Sequence, residues 1–183
     1  MSQTAVTPKN IVLIGFMGSG KSTVGRELHQ RLGYPLIDMD RSIEESMGKK
    51  ITEIFKDEGE AAFRDFETLK LAEIAKQTDR RQIVSTGGGV VIRPENRSLL
   101  RKIGYVVWLQ VPEEVIYERT SRNQERPLLN HMDARQRISK LLAEREPWYR
   151  ETAHLKIDTA GLDFKEIATG ILESARYHFT HSE

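Results

Sequence analysis

Residues 15–22 read Gly15-Phe16-Met17-Gly18-Ser19-Gly20-Lys21-Ser22, a full G-x-x-x-x-G-K-S phosphate-binding pattern. The apolar run Ile11-Val12-Leu13-Ile14 precedes it, and Val24, Leu28 and Leu32 follow as an i, i+4, i+8 stripe. Strand, loop and helix in that order are the context in which the pattern binds phosphate. Glycines let the backbone curl and turn successive N–H groups inward, where the helix N-terminus adds positive potential. Lys21 then reaches the β- and γ-phosphates, and the Ser22 hydroxyl can ligate Mg²⁺. The segment predicts a bound nucleoside triphosphate with Mg²⁺.

Other residues with chemistry lie further along. Asp38 and Asp40 form a D-x-D after a second apolar run, Tyr34 to Asp38. In open parallel sheets ligands bind beyond the carboxyl ends of strands. There one Asp can hold the Mg²⁺ waters and the other can take a hydroxyl proton. Asp40 can equally cap the helix that follows. Arg64 and Glu67 share a helical face with Glu60 and Leu71. They fit a solvated ion-pair stripe or an arginine that holds a substrate carboxylate. Thr86-Gly87-Gly88-Gly89 follows another strand pattern. Three successive glycines cost backbone entropy, so the turn suggests backbone amides approaching a ligand closely. Arginines crowd the region after residue 111, and Arg126, beside Pro127, falls on a loop from which it can close over a nucleotide. The histidines show no metal-ligand spacing.

These positions require a scaffold. Strand patterns lie at 11–14, 34–38, 82–85, 105–111 and 155–158. Helical patterns lie from about 40–42, at 60–76, 113–121, 134–145 and 164–177. A shorter element begins at Thr52. On the 60–76 helix, Ala62, Phe63, Phe66, Leu69 and Ala72 form the expected apolar face. Ser42-Ile43-Glu44-Glu45 matches a capping box. Alternating strands and helices imply an α/β sandwich around a parallel sheet with right-handed crossovers. Arg122 to Asp133 lacks periodicity and is expected to be a mobile loop.

Composition narrows the class. The 183 residues suffice for one well-packed domain, with 38% hydrophobic and 30% charged residues. A net charge of +1 offers no global field for nucleic acid or a membrane. Zero cysteines exclude disulfides and thiolate metal sites. The polar start carries no secretory h-region, and no apolar run approaches the ~20 residues that span a bilayer. No Asn-Lys-x-Asp guanine-reading motif occurs. A cytoplasmic protein without nucleic-acid or membrane partners is expected.

Taken in order, these motifs resemble those of the shikimate kinases. The resemblance runs from about Asn10 to the last helix. It is carried by the phosphate loop through Thr23, Asp38-Met39-Asp40, Phe63-Arg64-Asp65-Phe66-Glu67, Thr86-Gly87-Gly88-Gly89, Arg126-Pro127-Leu128-Leu129 and Arg145-Glu146-Pro147-Trp148-Tyr149. It implies transfer of the γ-phosphate of ATP to the 3-hydroxyl of shikimate, with Mg²⁺, in aromatic amino-acid (chorismate) biosynthesis. The implied fold is a P-loop NTPase domain, a three-layer α/β sandwich with a five-stranded parallel sheet. One kinase domain would cover 1–183, with a substrate-binding region at about 40–70 and a lid at about 122–133. A monomer is the expected state.

The resemblance also implies roles. Gly18, Ser19, Gly20, Lys21, Ser22 and Thr23 would hold the ATP phosphates, with Arg119 against the adenine. Ser22 and Asp38 would serve the metal. Lys21, Asp40 and the lid residue Arg126 would be catalytic, Asp40 accepting the 3-hydroxyl proton. Arg64 and Arg145 would clamp the shikimate carboxylate, and Glu67 would orient Arg64. Gly87, Gly88 and Gly89 would line the pocket. Trp148 is expected to report shikimate binding by fluorescence, and the strand residue Trp108 to stay silent.

Overall fold

Short apolar runs can hydrogen-bond as strands and stay out of water only if both their faces are covered. Among the described residues five such runs pair into one all-parallel sheet, in the order β2-β3-β1-β4-β5. They are β1 (Ile11–Ile14), β2 (Leu36–Asp38), β3 (Ile83–Ser85), β4 (Tyr105–Gln110) and β5 (Leu155–Asp158). This computed structural model describes residues 9–77, 80–121 and 134–181. The expected lid, with Arg126, lies outside the described residues.

Strand alternation sorts the core into two layers. Ile11 and Leu13 of β1 face α1 (Lys21–Leu32) and α8 (Phe164–His181). Val12 and Ile14 face α4 (Gly59–Ile74), α5 (Pro94–Ile103) and α7 (Ala134–Thr152). All four β1 side chains are fully buried. Each contributes roughly 1.5–3 kcal/mol by leaving water, so the strand feeding the phosphate loop is firmly anchored. A separate small cluster of Ile43, Ile54 and Phe63 joins α4 to α2 (Met39–Met47) and α3 (Ile51–Asp57). Phe16, Val111, Ile116 and Ile138 tie the phosphate loop to α6 (Glu113–Ser121) and α7. The result is a three-layer α/β fold. The connection from β1 runs toward β2 at one edge and that from its neighbour β4 toward β5 at the other, so a crevice opens at their carboxyl ends. No helix of the described residues is long and apolar enough to cross a membrane.

Several local expectations change. The 60–76 helix buries Phe63, Arg64, Glu67, Leu71 and Ile74, whereas Leu69 is 67% exposed. The helix is thus rotated to put two charged residues inward, at the cost of an exposed leucine. Asp38, not Asp40 or Ser42, caps α2: its Oδ1 accepts from the Arg41 amide at 3.3 Å. Glu45, the expected capping-box carboxylate, pairs with Arg41 instead. Helix α7 runs past Arg145 to Thr152, with Pro147 on its exposed face. Helix α5, unread from the sequence, begins at Pro94 and is preceded by a 3₁₀ turn, Val90–Ile92. Its buried face includes Asn96, whose Nδ2 donates to Val90 O at 3.0 Å.

Candidate active site

The phosphate loop leaves β1 at Ile14 and enters α1 at Lys21. Gly20 caps that helix with φ of 88°, a left-handed conformation that a side chain resists. No side chain caps the helix, and Gly20 O accepts from the Thr23 and Val24 amides at 3.1 and 2.9 Å. Lys21 is buried at 8% exposure, and its ammonium donates to Gly15 O at 2.8 Å and Phe16 O at 2.9 Å. Ser19 is buried beside it, its Oγ 3.2 Å from Lys21 Nζ. The charge is thereby held at the centre of the loop.

Ser22 donates its hydroxyl to Asp38 Oδ2 at 2.9 Å. Asp38 thus serves two partners, the α2 amide through one oxygen and the loop serine through the other. Two hard oxygens side by side at the end of a phosphate loop suit Mg²⁺, which takes few protein ligands and completes its shell with phosphate and water. No cluster of three or more His, Cys, Asp or Glu residues that could hold a metal ion occurs among the described residues.

A cleft of about 430 Å³ joins Gly18, Lys21, Ser22 and Thr23 to Asp38, Asp40, Thr86 and Gly88. Arg119 and Phe164 stand at its wall. Arg119 donates to Gly18 O at 2.8 Å. Phe164, at the start of α8, is 39% exposed, and its ring would lie 3.0 Å from a Cβ on Gly20. Phe164 is a site residue that the sequence reading did not select. Its signal was an aromatic just after the loop that follows the last strand, at the carboxyl end of the sheet.

The triple-glycine turn explains itself by contact. A Cβ on Gly87 would meet Asp40 Oδ1 at 2.7 Å and Glu67 Oε1 at 2.8 Å. A Cβ on Gly89 would collide with the Arg64 guanidinium. Only bare backbone fits between these groups. The amides of Gly87, Gly88 and Gly89 donate no hydrogen bond among the described residues. Gly87 and Gly89 are buried, and buried amides are nearly always paired, so these two donors fit a ligand.

Arg64, Glu67 and Arg145 are buried, at 6%, 0% and 3% exposure. Arg64 donates to Glu67 Oε2 at 2.5 Å and to Glu60 at 2.9 Å, which excludes the purely solvated stripe. Arg145 donates to Gly88 O at 3.3 Å and its guanidinium lies 5.5 Å from the Phe16 ring centre. Burial pushes the Glu67 carboxyl up to about 7, while Arg64 pulls it down and the neighbouring Asp40 pushes it further up. Charges are buried this deeply only when paired or used. The structure therefore brings together every expected site residue that it describes. Those of the phosphate end are Gly18, Ser19, Gly20, Lys21, Ser22, Thr23, Asp38 and Arg119. Those of the acceptor end are Asp40, Arg64, Glu67, Gly87, Gly88, Gly89 and Arg145.

Comparison with known proteins gives the same picture. The family profile described as Shikimate kinase matches residues 17–176. A shikimate kinase of Thermodesulfovibrio yellowstonii is 44% identical over 165 residues, covering 90% of this chain and 94% of that one. One of Paracidovorax citrulli is 49% identical over 148 residues, covering 81% of each. The solved shikimate kinase of Acinetobacter baumannii in complex with shikimate superposes with a TM-score of 0.87 at 40% identity, covering 93% of both chains. With the profile spanning most of its length and relatives of this similarity, the chain belongs to the shikimate kinase family.

Proposed function

We propose that the protein transfers the γ-phosphoryl group of ATP to the 3-hydroxyl of shikimate, giving shikimate 3-phosphate and ADP. The carrying observation is the convergence of two buried arginines, Arg64 and Arg145, on the Gly88–Gly89 backbone beside the phosphate loop. Two guanidiniums and a row of open amides suit one carboxylate. Asp40 and Glu67, beside Gly87, suit hydroxyls. A small polyhydroxylated acid therefore fits the acceptor end.

In this reading Arg64 and Arg145 grip the carboxylate, and Glu67 holds Arg64 in place. Asp40 takes the proton of the attacking hydroxyl as its oxygen bonds to the γ-phosphorus and the bond to ADP breaks. Lys21 stabilises the charge on the transferred group, with Arg126 added from the segment 122–133 acting as a lid. Ser22 and Asp38 would hold Mg²⁺, which supplies charge neutralisation at the phosphates when bound. Arg119 and Phe164 flank the adenine. The protein acts as a single monomeric kinase domain in the cytoplasm, with a substrate-binding region over about 40–70 and small molecules as its partners.

ADP release measured with and without shikimate tests the reading. Shikimate should stimulate release strongly, whereas gluconate and nucleoside monophosphates should not. Equal stimulation by any of these acceptors would refute it.

A further inference from the structure

Three consecutive glycines form the loosest stretch a backbone can have. A binding turn made of them needs an external restraint, or its ordering cost falls on the ligand. The restraint is visible. The Tyr149 hydroxyl donates a short hydrogen bond to Gly88 O, the carbonyl that also accepts from Arg145. Tyr149 is 1% exposed, and its ring stacks on Trp108 with centroids 5.7 Å apart. Burial pushes its phenol further above the ordinary range, so it stays a neutral donor at working pH.

We propose that Tyr149 is a positioning residue for the acceptor: its hydroxyl pins the Gly88 carbonyl, and so sets both Arg145 and the Gly89 amide. The physical link is the peptide plane. No cis peptide occurs among the described residues, so the Gly88 carbonyl and the Gly89 N–H point in opposite directions from one rigid unit. Fixing the first aims the second, which donates no bond among the described residues. Tyr149 also lines a cavity of about 300 Å³ with Phe16, Trp108, Leu142 and Glu146, and its hydroxyl bond adds a fixed direction to the stacking of the ring on Trp108.

The proposal deepens the reading of this cleft as a shikimate site, and its test separates the two. Steady-state ADP release is titrated with shikimate and with ATP for the wild type, Tyr149→Phe and Trp108→Leu. Tyr149→Phe keeps the ring and should raise the shikimate KM about two- to tenfold, the worth of one hydrogen bond. Its ATP KM and kcat should stay within about twofold. Trp108→Leu removes the stack but not the hydroxyl, so it should lower the melting temperature and leave the shikimate KM near wild type. An unchanged shikimate KM in Tyr149→Phe overturns the proposal. So does an equal rise in Trp108→Leu, which would make packing the cause. Wild-type release indifferent to shikimate would instead overturn the shikimate reading itself.

Discussion

The two ends of the cleft are built in opposite ways. The phosphate end comes mainly from one continuous stretch, Gly15 to Thr23, joined by Asp38 and Arg119. It offers mainly backbone and one lysine. The acceptor end is gathered from four separated stretches, at Asp40, Arg64 with Glu67, Gly87–Gly89, and Arg145. It works through buried side-chain charge packed on bare backbone. A local loop can form its site as soon as its strand and helix dock. A gathered site exists only when the whole sheet is assembled, and its charges then depend on one another. The acceptor end should therefore be the more coupled and the more pH-sensitive of the two.

Asp40 lies where the two ends meet, and its replacement should have the largest effect. Asp40→Asn keeps a hydrogen-bond acceptor but loses the base, so kcat should fall about 10²- to 10⁴-fold with ATP affinity kept. Asp38→Asn should instead raise the Mg²⁺ concentration needed for activity. Metal titrations of both variants check this, and indistinguishable small effects would reduce both to capping residues.

Lys21→Ala strikes the phosphate end alone. Loss of one transition-state donor of this kind costs about 10²- to 10³-fold in turnover. The bonds of Lys21 to Gly15 and Phe16 are also lost, so melting should shift slightly without loss of the fold. Near-normal kcat would break the assignment of this loop.

Arg64→Ala and Arg145→Ala strike the other end, and they should differ from each other. Each should weaken shikimate binding about 10- to 150-fold with little change for ATP, as for a lost charge-assisted bond. Arg64→Ala also strands the buried Glu67, where breaking such a pair costs about 3–5 kcal/mol. Arg145 donates to a carbonyl, so its loss should cost less stability. Shikimate KM values and denaturation midpoints measured together decide it. Equal destabilisation by the two would remove the coupling from the acceptor end.

The pH prediction has a definite sign. Glu67 is raised from the usual carboxylate range to about 7 by burial, against the pull of Arg64. A raised acid binds its proton better in the folded state. Its contribution is therefore fully present below its ordinary value, about 4.3, and is lost as pH rises through about 7. The stability of wild type relative to Glu67→Gln should fall between about pH 4 and pH 7. Denaturant titrations across that range test it, and a constant difference would show that Glu67 is charged throughout.

The smallest effect is optical, and here the packing favours the opposite indole to the one expected from sequence. Trp148 packs in the α5–α7 layer, 5.7 Å from the Arg97 guanidinium. Trp108 stacks on Tyr149, which touches the Gly88 carbonyl. Shikimate should thus change the emission of Trp148→Phe and leave Trp108→Phe nearly silent. The opposite pattern would place the responsive contacts on the outer side of α7.

The sequence alone determined what is contiguous. The phosphate loop, the alternation of strands and helices, and the D-x-D and triple-glycine turns were all legible, because their chemistry and their backbone lie in the same few residues. The parallel sheet followed from apolar runs long enough only for strands covered on both faces. What tertiary structure decided was orientation and partnership. Apolar spacing turned Leu69 inward on α4, yet Arg64 and Glu67 took the buried face. They are held there by each other and by contact with Gly89 and Gly87, some twenty residues away. Asp38 rather than Asp40 became the cap, because the α2 start is set by where β2 ends. Tyr149 acquired a role only when α7 crossed the glycine turn. Pairing across such separations is fixed by the packing of whole layers, and a local pattern carries no record of it.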